Sequence, residues 1–233
     1  MAEVVYPRQM YKSMVQSHDC GRDSPTTIKD EVNTTGALCA RLEWNEYQLA
    51  QEIGTVKEGQ GAGKVEVNRG WEKPQDNWIK INTDAALNRK TCKAGWGIVA
   101  GDRHGKLIGS WACPTTRCAE AKVEEALALR EAMVLARREG WRKVEFESDC
   151  KLVVDKVNAH EEEISIATIL ADIWRLKTEF DKCCFSFTRR TNNSVSHQIA
   201  KYAIGLIDIA EWKCDFPAWL LELAQADLEE RRL

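Results

Sequence analysis

Three acidic residues stand at positions where a carboxylate can do chemistry as well as solubilise the protein. Asp84 follows the apolar alternation of WIKINT, and Asp149 follows the strand-like segment RKVEFES. Glu125 lies in the helical segment 119–139, and at 100° per residue small side chains such as Ala128 fall within about 60° of it. Clustered carboxylates without His or Cys favour Mg²⁺ or Mn²⁺. Two such ions would support phosphodiester hydrolysis.

Each of the three also has a purely structural interpretation. Asp84 suits a strand-ending turn, and Glu125 suits a helix edge from which it reaches water. Either Ser148 or Asp149 suits the N-cap of the next helix. Glu124, about 100° away on the same helix, is expected to face solvent. A carboxylate on a packing face is costly unless it is paired or bound to metal. If the first and fourth strands are parallel neighbours, all three residues meet at one point, and chemistry becomes the better explanation.

The rest of the sequence supplies the elements that must position these residues. Apolar alternation, turn residues and helical periodicity predict the order β-β-β-α-β-α-α-β-α from Trp71 onward. This order implies an α/β fold with a mixed five-stranded sheet, three antiparallel strands and then two parallel ones, flanked by helices. The predicted segments are a strand at 78–87, a hairpin at 95–112, a helix at 119–139, a strand at 142–148, helices at 150–159 and 164–180, a strand at 183–190 and a helix within 192–203.

Composition and charge restrict the class of protein. The chain has 233 residues, of which 44% are hydrophobic and 30% charged, and this balance is typical of a soluble globular protein. Its formal net charge is −3, so any site for a polyanion must be local. No apolar run reaches the length of a membrane span. Nine scattered cysteines without a CxxC pair indicate reduced thiols in an intracellular compartment, nucleus or cytoplasm.

The chain divides into three predicted regions. Residues 1–70 show no sustained periodicity and are expected to form a poorly ordered extension or linker. Their Gly-rich patch GTVKEGQGAGK fails the phosphate-loop motif, because Val65 follows Lys64 where Ser or Thr is needed. Residues 71–210 form the predicted α/β domain. Residues 211–233 form a C-terminal tail with an amphipathic helix.

The segment from Lys73 to about Ile209 resembles the ribonuclease H-like family, specifically the reverse-transcriptase-associated type common in plants. The resemblance rests on WEKPQDNWIKINTDAAL, AGWGIVAGDRHGKLIGSWA, EEALALREAMVLARREGWRKVEFESDCKLVV and RTNNSVSHQIAKYA. It implies hydrolysis of the RNA strand of RNA–DNA hybrids with two divalent ions, Mg²⁺ or Mn²⁺. By position it also implies that Asp84, Glu125 and Asp149 are the catalytic metal ligands.

The fourth acidic position of that family is different here. The family frame reads Arg, two residues, Asn, two residues and Ala-Asp, and this chain has Arg190, Asn193, Ser196 and then His197. A histidine at this position also looks usual among the plant members of the family that the chain resembles. Its neutral ring can bind a cation or move a proton, but it brings no negative charge, so affinity for the second ion should fall. Arg190 and Asn193 are the expected substrate-binding residues, and low sequence specificity is expected.

Three functions remain open at this level. The first is an endonuclease that acts as a monomer on hybrids, with Asp84, Glu125, Asp149 and His197 as its catalytic residues. The second is a retroelement-derived nucleic-acid-binding module with weak or lost catalysis, favoured by His197 and the acidic net charge. The third is a protein-interaction domain that exposes Trp219, Leu220 and Leu223 on the C-terminal helix. Packing onto the sheet domain is the commoner fate of such a helix, and the exposure of Trp219 decides between the two.

Overall fold

A computed structural model describes residues 72–229. The predicted N-terminal extension, residues 1–70, lies outside this range. The strands are β1 (Ile79–Asn88), β2 (Lys93–Gly101), β3 (Leu107–Thr115), β4 (Lys143–Ser148), β5 (Lys182–Phe187) and β6 (Ala210–Trp212). The helices are α1 (Ala121–Arg138), α2 (Lys151–Ala159), α3 (Ala167–Lys177), α4 (Ser194–Ile204) and α5 (Ala218–Glu229), with 3-10 turns at Ile164–Ile166 and Arg190–Asn192.

The strands form one mixed sheet in the order β5-β4-β1-β2-β3-β6. β1, β2 and β3 are antiparallel neighbours, whereas β4 and β5 run parallel to β1. This arrangement confirms the predicted α/β fold and the pairing of its five strands. The structure adds β6, which pairs with β3 over only three residues, too few for the sequence to show an alternating pattern.

Helices cover both faces of the sheet. α1, α2 and α3 bury the larger core, which includes Ile81, Trp111, Met133, Phe146 and Ile173. α4 and α5 bury a smaller core on the opposite face. Its members include Val99, Ala112, Val195, Ile199 and Leu220. The sheet is therefore the middle layer, and α4 is the helix that reaches the catalytic candidates from the second face.

Two glycines in β2 allow α4 to lie almost directly on the sheet. A Cβ atom at Gly97 would come within 2.0 Å of the carbonyl oxygen of Ser196, and one at Gly95 within 2.5 Å of the carbonyl oxygen of Ala200. Real Cβ atoms do not approach backbone so closely. Any larger residue would push the helix outward, so these glycines fix the height of α4 above β1 and β2.

The C-terminal segment belongs to the packed structure. Leu220 is fully buried, and Trp219 contacts the rings of Tyr202 and Trp212 at 5.5 Å and 6.0 Å between centroids. Leu223 is partly buried against the same core. Of the two alternatives for this helix, the structure shows packing on the domain and not an exposed interaction strip of these three side chains, because the helix packs its apolar face on α4. Within residues 72–229, no helix combines the length and the apolar character that membrane spanning requires.

Candidate metal centre

The end of the parallel ladder between β1 and β4 places two of the predicted carboxylates side by side. The last paired residues are Thr83 and Ser148, and Asp84 and Asp149 are the next residue of each chain segment. Asp84 is only 2% exposed and continues β1, where it pairs with Gly97 of β2. It therefore does not end a strand at a turn. The sheet register itself brings its carboxylate to that of Asp149.

The helix that precedes β4 brings the third carboxylate. Glu125 lies in the first turns of α1, and its Oε1 atom accepts a hydrogen bond from the backbone N–H of Ala85 at 3.3 Å. Its Oε2 atom is buried and has no hydrogen-bond partner among the described residues. One ligand atom from each of Asp84, Glu125 and Asp149 lies within 4.8 Å of the others. The structure thus brings together the three acidic residues that the sequence singled out.

The structural alternatives for two of these residues do not account for their positions. Helix α2 begins after its N-cap residue Cys150, and no side chain caps it. The Cys150 N–H is instead bonded to the Oγ of Ser148 at 3.1 Å. Glu125 is bonded to the sheet and has a buried free oxygen, which excludes a helix edge open to water. Asp149 and Glu125 are therefore better explained by the cluster than by capping or solvation.

The cluster carries more negative charge than its surroundings balance. Burial, followed by the charges of Asp84 and Asp149, raises the pKa of Glu125 well above its usual range. Burial and then Asp84 raise the pKa of Asp149 to about 6. The nearby Arg190 lowers both pKa values but does not cancel these effects. Three crowded carboxylates, one of them with an unpartnered buried oxygen, are a donor set that suits a hard divalent cation.

His197 forms the fourth side of the cluster. Its Nδ1 atom lies 2.9 Å from Oδ2 of Asp84, and its Nε2 atom lies 3.2 Å from Nη2 of Arg190. An ionised carboxylate only accepts and a guanidinium only donates, so these partners fit a neutral ring with its hydrogen on Nδ1. The Nε2 lone pair then faces Arg190. The ring is held in this position because Gly97, paired with Asp84, lets α4 approach the sheet.

Asn193 is placed differently from the predicted substrate contact. It is 2% exposed, and its Nδ2 atom donates to the carbonyl oxygen of Thr83 at 2.9 Å. Its Oδ1 atom accepts from Ser196 Oγ at 2.7 Å and from Asn82 Nδ2 at 3.2 Å. These bonds join β1 to the start of α4, so contact with a substrate through Asn193 would require breaking them. Arg190, in contrast, is exposed beside His197.

Glu124 is buried, not exposed to solvent as its helical angle predicted. It is 1% exposed, and its Oε2 atom accepts from the indole N–H of Trp96 at 2.9 Å. Its Oε1 atom accepts from the backbone N–H of Ala119 at 2.8 Å. The carboxylate thereby ties the start of α1 to β2, one residue before Glu125. The angle around one helix could not predict this contact, because it carries no information on the position of Trp96 in β2.

A second polar contact that the sequence did not predict lies behind the site. Lys80 is 3% exposed, and its Nζ atom lies 2.7 Å from Oε1 of Glu147. Asn82 donates to the other oxygen of Glu147 at 2.9 Å. Burial raises the pKa of Glu147, and the Lys80 charge opposes this rise. Because these residues cross from β1 to β4, they hold the ladder whose end carries Asp84 and Asp149.

The family of proteins described as "Reverse transcriptase-like" matches residues 82–203, just over half of the chain. The chain belongs to this family. The matched range runs from β1 to α4 and includes the four side chains of the site. No curated protein matches the chain by sequence.

Solved structures give this reverse transcriptase-like protein the ribonuclease H fold. Ribonuclease H1 of the archaeon Halobacterium salinarum NRC-1 is 19% identical with a TM-score of 0.51, over 55% of this chain and 97% of that one. The N-terminal ribonuclease H domain of a Mycobacterium tuberculosis protein is also 19% identical, at 0.50, over 55% and 93%. A compost-derived ribonuclease H1, solved with an RNA/DNA hybrid, is 22% identical at 0.50, over 54% and 96%.

Proposed function

We propose that this protein is a divalent-metal-dependent endonuclease that hydrolyses the RNA strand of RNA–DNA hybrids. The observation that carries the proposal is the meeting of three carboxylate oxygens within 4.8 Å, at the end of the β1–β4 ladder of a ribonuclease H fold. The hybrid held by one of the similar structures supports the choice of substrate class.

Asp84, Glu125 and Asp149 would hold the cations, Mg²⁺ or Mn²⁺, with two ions expected. The fit rests on oxygen donors, on the unpartnered buried Oε2 of Glu125 and on the raised pKa values of Glu125 and Asp149. When bound, two such ions would supply a nucleophile near neutral pH and stabilise the leaving oxygen of the phosphodiester. Asp84 is the most buried of the three ligands, and as a residue of β1 it fixes the centre to the sheet.

His197 would transfer a proton at this centre, and Arg190 would bind the negative charge of the substrate beside it. The Asp84 carboxylate fixes the imidazole through Nδ1, so Nε2 can accept or return a proton at the open side of the site. Arg190, exposed next to Nε2, can bind a phosphate oxygen of the substrate. Asn193 acts in this proposal by positioning α4, because its amide is bonded within the protein.

The ring of His197 also favours a second candidate, a nucleic-acid-binding module of low catalytic activity. A neutral imidazole at the fourth position leaves the second ion with less negative charge around it, and ion affinity depends on that charge. His197→Asp would separate the two candidates. A large gain in turnover at low Mg²⁺ would indicate that the histidine limits catalysis, whereas a loss would indicate that the imidazole takes part in it.

The proposal is tested with the purified chain and end-labelled 20-base-pair duplexes in Mg²⁺ or Mn²⁺. We expect endonucleolytic cuts in the RNA strand of the hybrid and none in the DNA strand, in DNA duplex or in RNA duplex. Asp84→Asn is the inactive control. Hybrid binding without turnover in either cation would support the second candidate, and neither binding nor turnover would overturn both.

A further inference from the structure

About half of the lysine and arginine side chains in residues 72–229 are paired with carboxylates. Ion pairs of 4.0 Å or less hold basic residues on the helices, on the outer strands and behind the site. They are Lys80, Arg103, Lys122, Arg130, Arg137, Arg138, Arg142, Lys151, Lys156, Arg175 and Lys213. Because the chain has a net charge of −3, a polyanion must find cations that these pairs leave free.

Four cations without such a pair gather at one end of the sheet. Arg89, Lys90 and Lys93 surround the turn between β1 and β2, and Arg117 follows the end of β3. All four are exposed, and no carboxylate of the described residues forms an ion pair with them. We call this group the hairpin patch. It carries four positive charges on a protein that is acidic overall.

The sheet register places the four residues at the same end of neighbouring strands. Asn88 pairs with Lys93 across the turn, and Ala94 pairs with Thr115 of β3, two residues before Arg117. Neighbouring strands are about 4.8 Å apart, so the Lys93 and Arg117 segments run side by side. The patch therefore spans three adjacent strand ends, wide enough to contact more than one phosphate.

The turn itself is held in one shape. The Oδ1 atom of Asn88 accepts from the backbone N–H groups of Lys90 and Thr91 at 3.1 Å and 3.2 Å. Cys92 adopts a left-handed backbone conformation, with φ of 52°, and its Sγ contacts the carbonyl oxygen of Arg89 at 3.8 Å. These contacts fix the backbone of the turn, which lowers the backbone entropy lost when its cations bind a ligand.

The hairpin patch begins directly after β1, the strand that carries Asp84 of the metal centre. From Asp84 to the turn is five residues along β1, or about 17 Å at 3.4 Å per residue. Lys93 shares a sheet face with Asp84, because Asp84 pairs with Gly97 and side chains alternate along β2. Since phosphates of one duplex strand advance by about 3.4 Å along the axis, this distance is about five base pairs.

We propose that the hairpin patch, Arg89, Lys90, Lys93 and Arg117, binds the phosphate backbone of a duplex about five base pairs from the bond that the metal centre cleaves. The inference rests on the proposed nuclease function for its ligand, a nucleic-acid duplex, but its contacts are separate from the catalytic side chains. Phosphate contacts orient a duplex without reading its sequence. The patch supplies the positive charge that the carboxylate cluster lacks.

The test compares two triple variants of equal charge. R89Q/K90Q/K93Q removes three patch cations. K106Q/K143Q/K182Q removes three cations for which the structure gives no ion pair, in the β2–β3 turn and at the starts of β4 and β5, the opposite end of the sheet. Hybrid binding is measured by fluorescence anisotropy from 50 to 200 mM salt, with Asp84→Asn added to prevent cleavage. Cleavage by the otherwise unchanged triple variants gives KM and kcat.

The patch variant should bind the hybrid roughly tenfold more weakly at 100 mM salt, with the slope of log K against log salt reduced by about 2 to 3, because each lost phosphate contact removes about 0.9. Its KM should rise and its kcat should stay unchanged. The opposite-end variant should match the parent protein. Equal effects of the two variants, or no effect of either, would overturn the proposal. The proposal would also be overturned if the patch variant lost binding to phosphatidylserine vesicles but bound the hybrid as well as the parent protein does.

A positional substrate separates failure of the patch from failure of the nuclease. Two duplexes are compared, each with its only ribonucleotides at one of the two ends, so that no base pairs remain on one side of the cut. In one of these duplexes the missing side is the one that the patch would contact, and there the patch variant should cleave as well as the parent. An equal defect for both ends would contradict the assigned distance. If the parent binds hybrid without cleaving any substrate, the nuclease proposal fails while the binding comparison still decides the patch.

Discussion

The substitution Asp149→Asn should stabilise the metal-free protein. Asp149 shares a crowded site with Asp84 and Glu125, and its pKa is raised from 3.8 to about 6. A shift of about two pH units corresponds to about 3 kcal/mol. Asp149 is partly open to solvent, which screens the repulsion, so the expected gain in unfolding free energy at pH 7 is on the order of 1 to 2 kcal/mol.

The stabilisation should depend on pH with a defined sign. Between the unfolded pKa of 3.8 and the folded value of about 6, the folded protein binds more protons at Asp149 than the unfolded chain does. The unfolding free energy of the parent therefore falls as pH rises through this window. The amide introduced by Asp149→Asn does not titrate, so the difference between variant and parent should be largest above pH 6 and should disappear near pH 4.

Thermal unfolding in EDTA and in Mg²⁺ measures both effects. For a domain of this size each kcal/mol shifts Tm by about 2 to 4 °C, so Asp149→Asn should raise Tm by about 2 to 8 °C in EDTA at pH 7. Mg²⁺ at ten times its Kd should add about 1.4 kcal/mol to the parent. The variant, with one ligand weakened, should gain less.

A destabilised Asp149→Asn protein in EDTA would refute this reasoning. It would mean that the carboxylate supports the fold, for example as a cap of α2, and that the raised pKa does not reflect repulsion among the three carboxylates. Glu147→Gln is a useful comparison, because Glu147 is paired with Lys80 and its loss should destabilise the protein at the same pH.

Two further pairs of substitutions test how the site is positioned. Glu124→Ala should lower the unfolding free energy by about 3 kcal/mol, because it leaves the Trp96 indole unpaired. Glu125→Gln should instead raise the metal-free Tm. Chemical denaturation that changes the stability of both variants in the same direction would contradict the separate roles of these neighbours. Gly97→Ala should cost about 1 to 3 kcal/mol and reduce hybrid cleavage, because the new methyl pushes α4 and His197 from Asp84. Gly140→Ala, strained only by its φ of 75°, should destabilise similarly in thermal unfolding and leave cleavage intact, and equal losses of activity would show that stability alone is responsible.

Much of the fold could be predicted from the sequence because its strands and helices carry clear periodicity. The alternation in β1 and the helical stripe of α1 placed Glu125 against the sheet, as the structure has it. The helix expected at 164–180 begins as a 3-10 turn and is α-helical only over Ala167–Lys177. β6 was not predicted, because three residues that pair with an existing edge strand leave no pattern of their own.

The geometry of the site depends on packing that a sequence pattern does not carry. Helical periodicity alone predicted that Glu124 faces solvent, because it cannot show that Trp96 of β2 contacts that face of α1. A motif position identified Asn193 but not its buried bonds to Thr83 and Ser196. The contact of His197 with Asp84 depends on how closely α4 approaches β2, and this follows from a glycine whose importance appears only when strand and helix are seen together.

The most direct measurement is a Mg²⁺ titration of hybrid cleavage by the parent protein and by Asp84→Asn. Asp84 joins the β1 backbone, the carboxylate cluster and His197, so its charge is central to the site. We predict cleavage of the RNA strand that rises with Mg²⁺ and is lost in the variant at every concentration. Cleavage without added metal after EDTA treatment, or cleavage that survives Asp84→Asn, would contradict the assignment of this cluster as the catalytic metal centre.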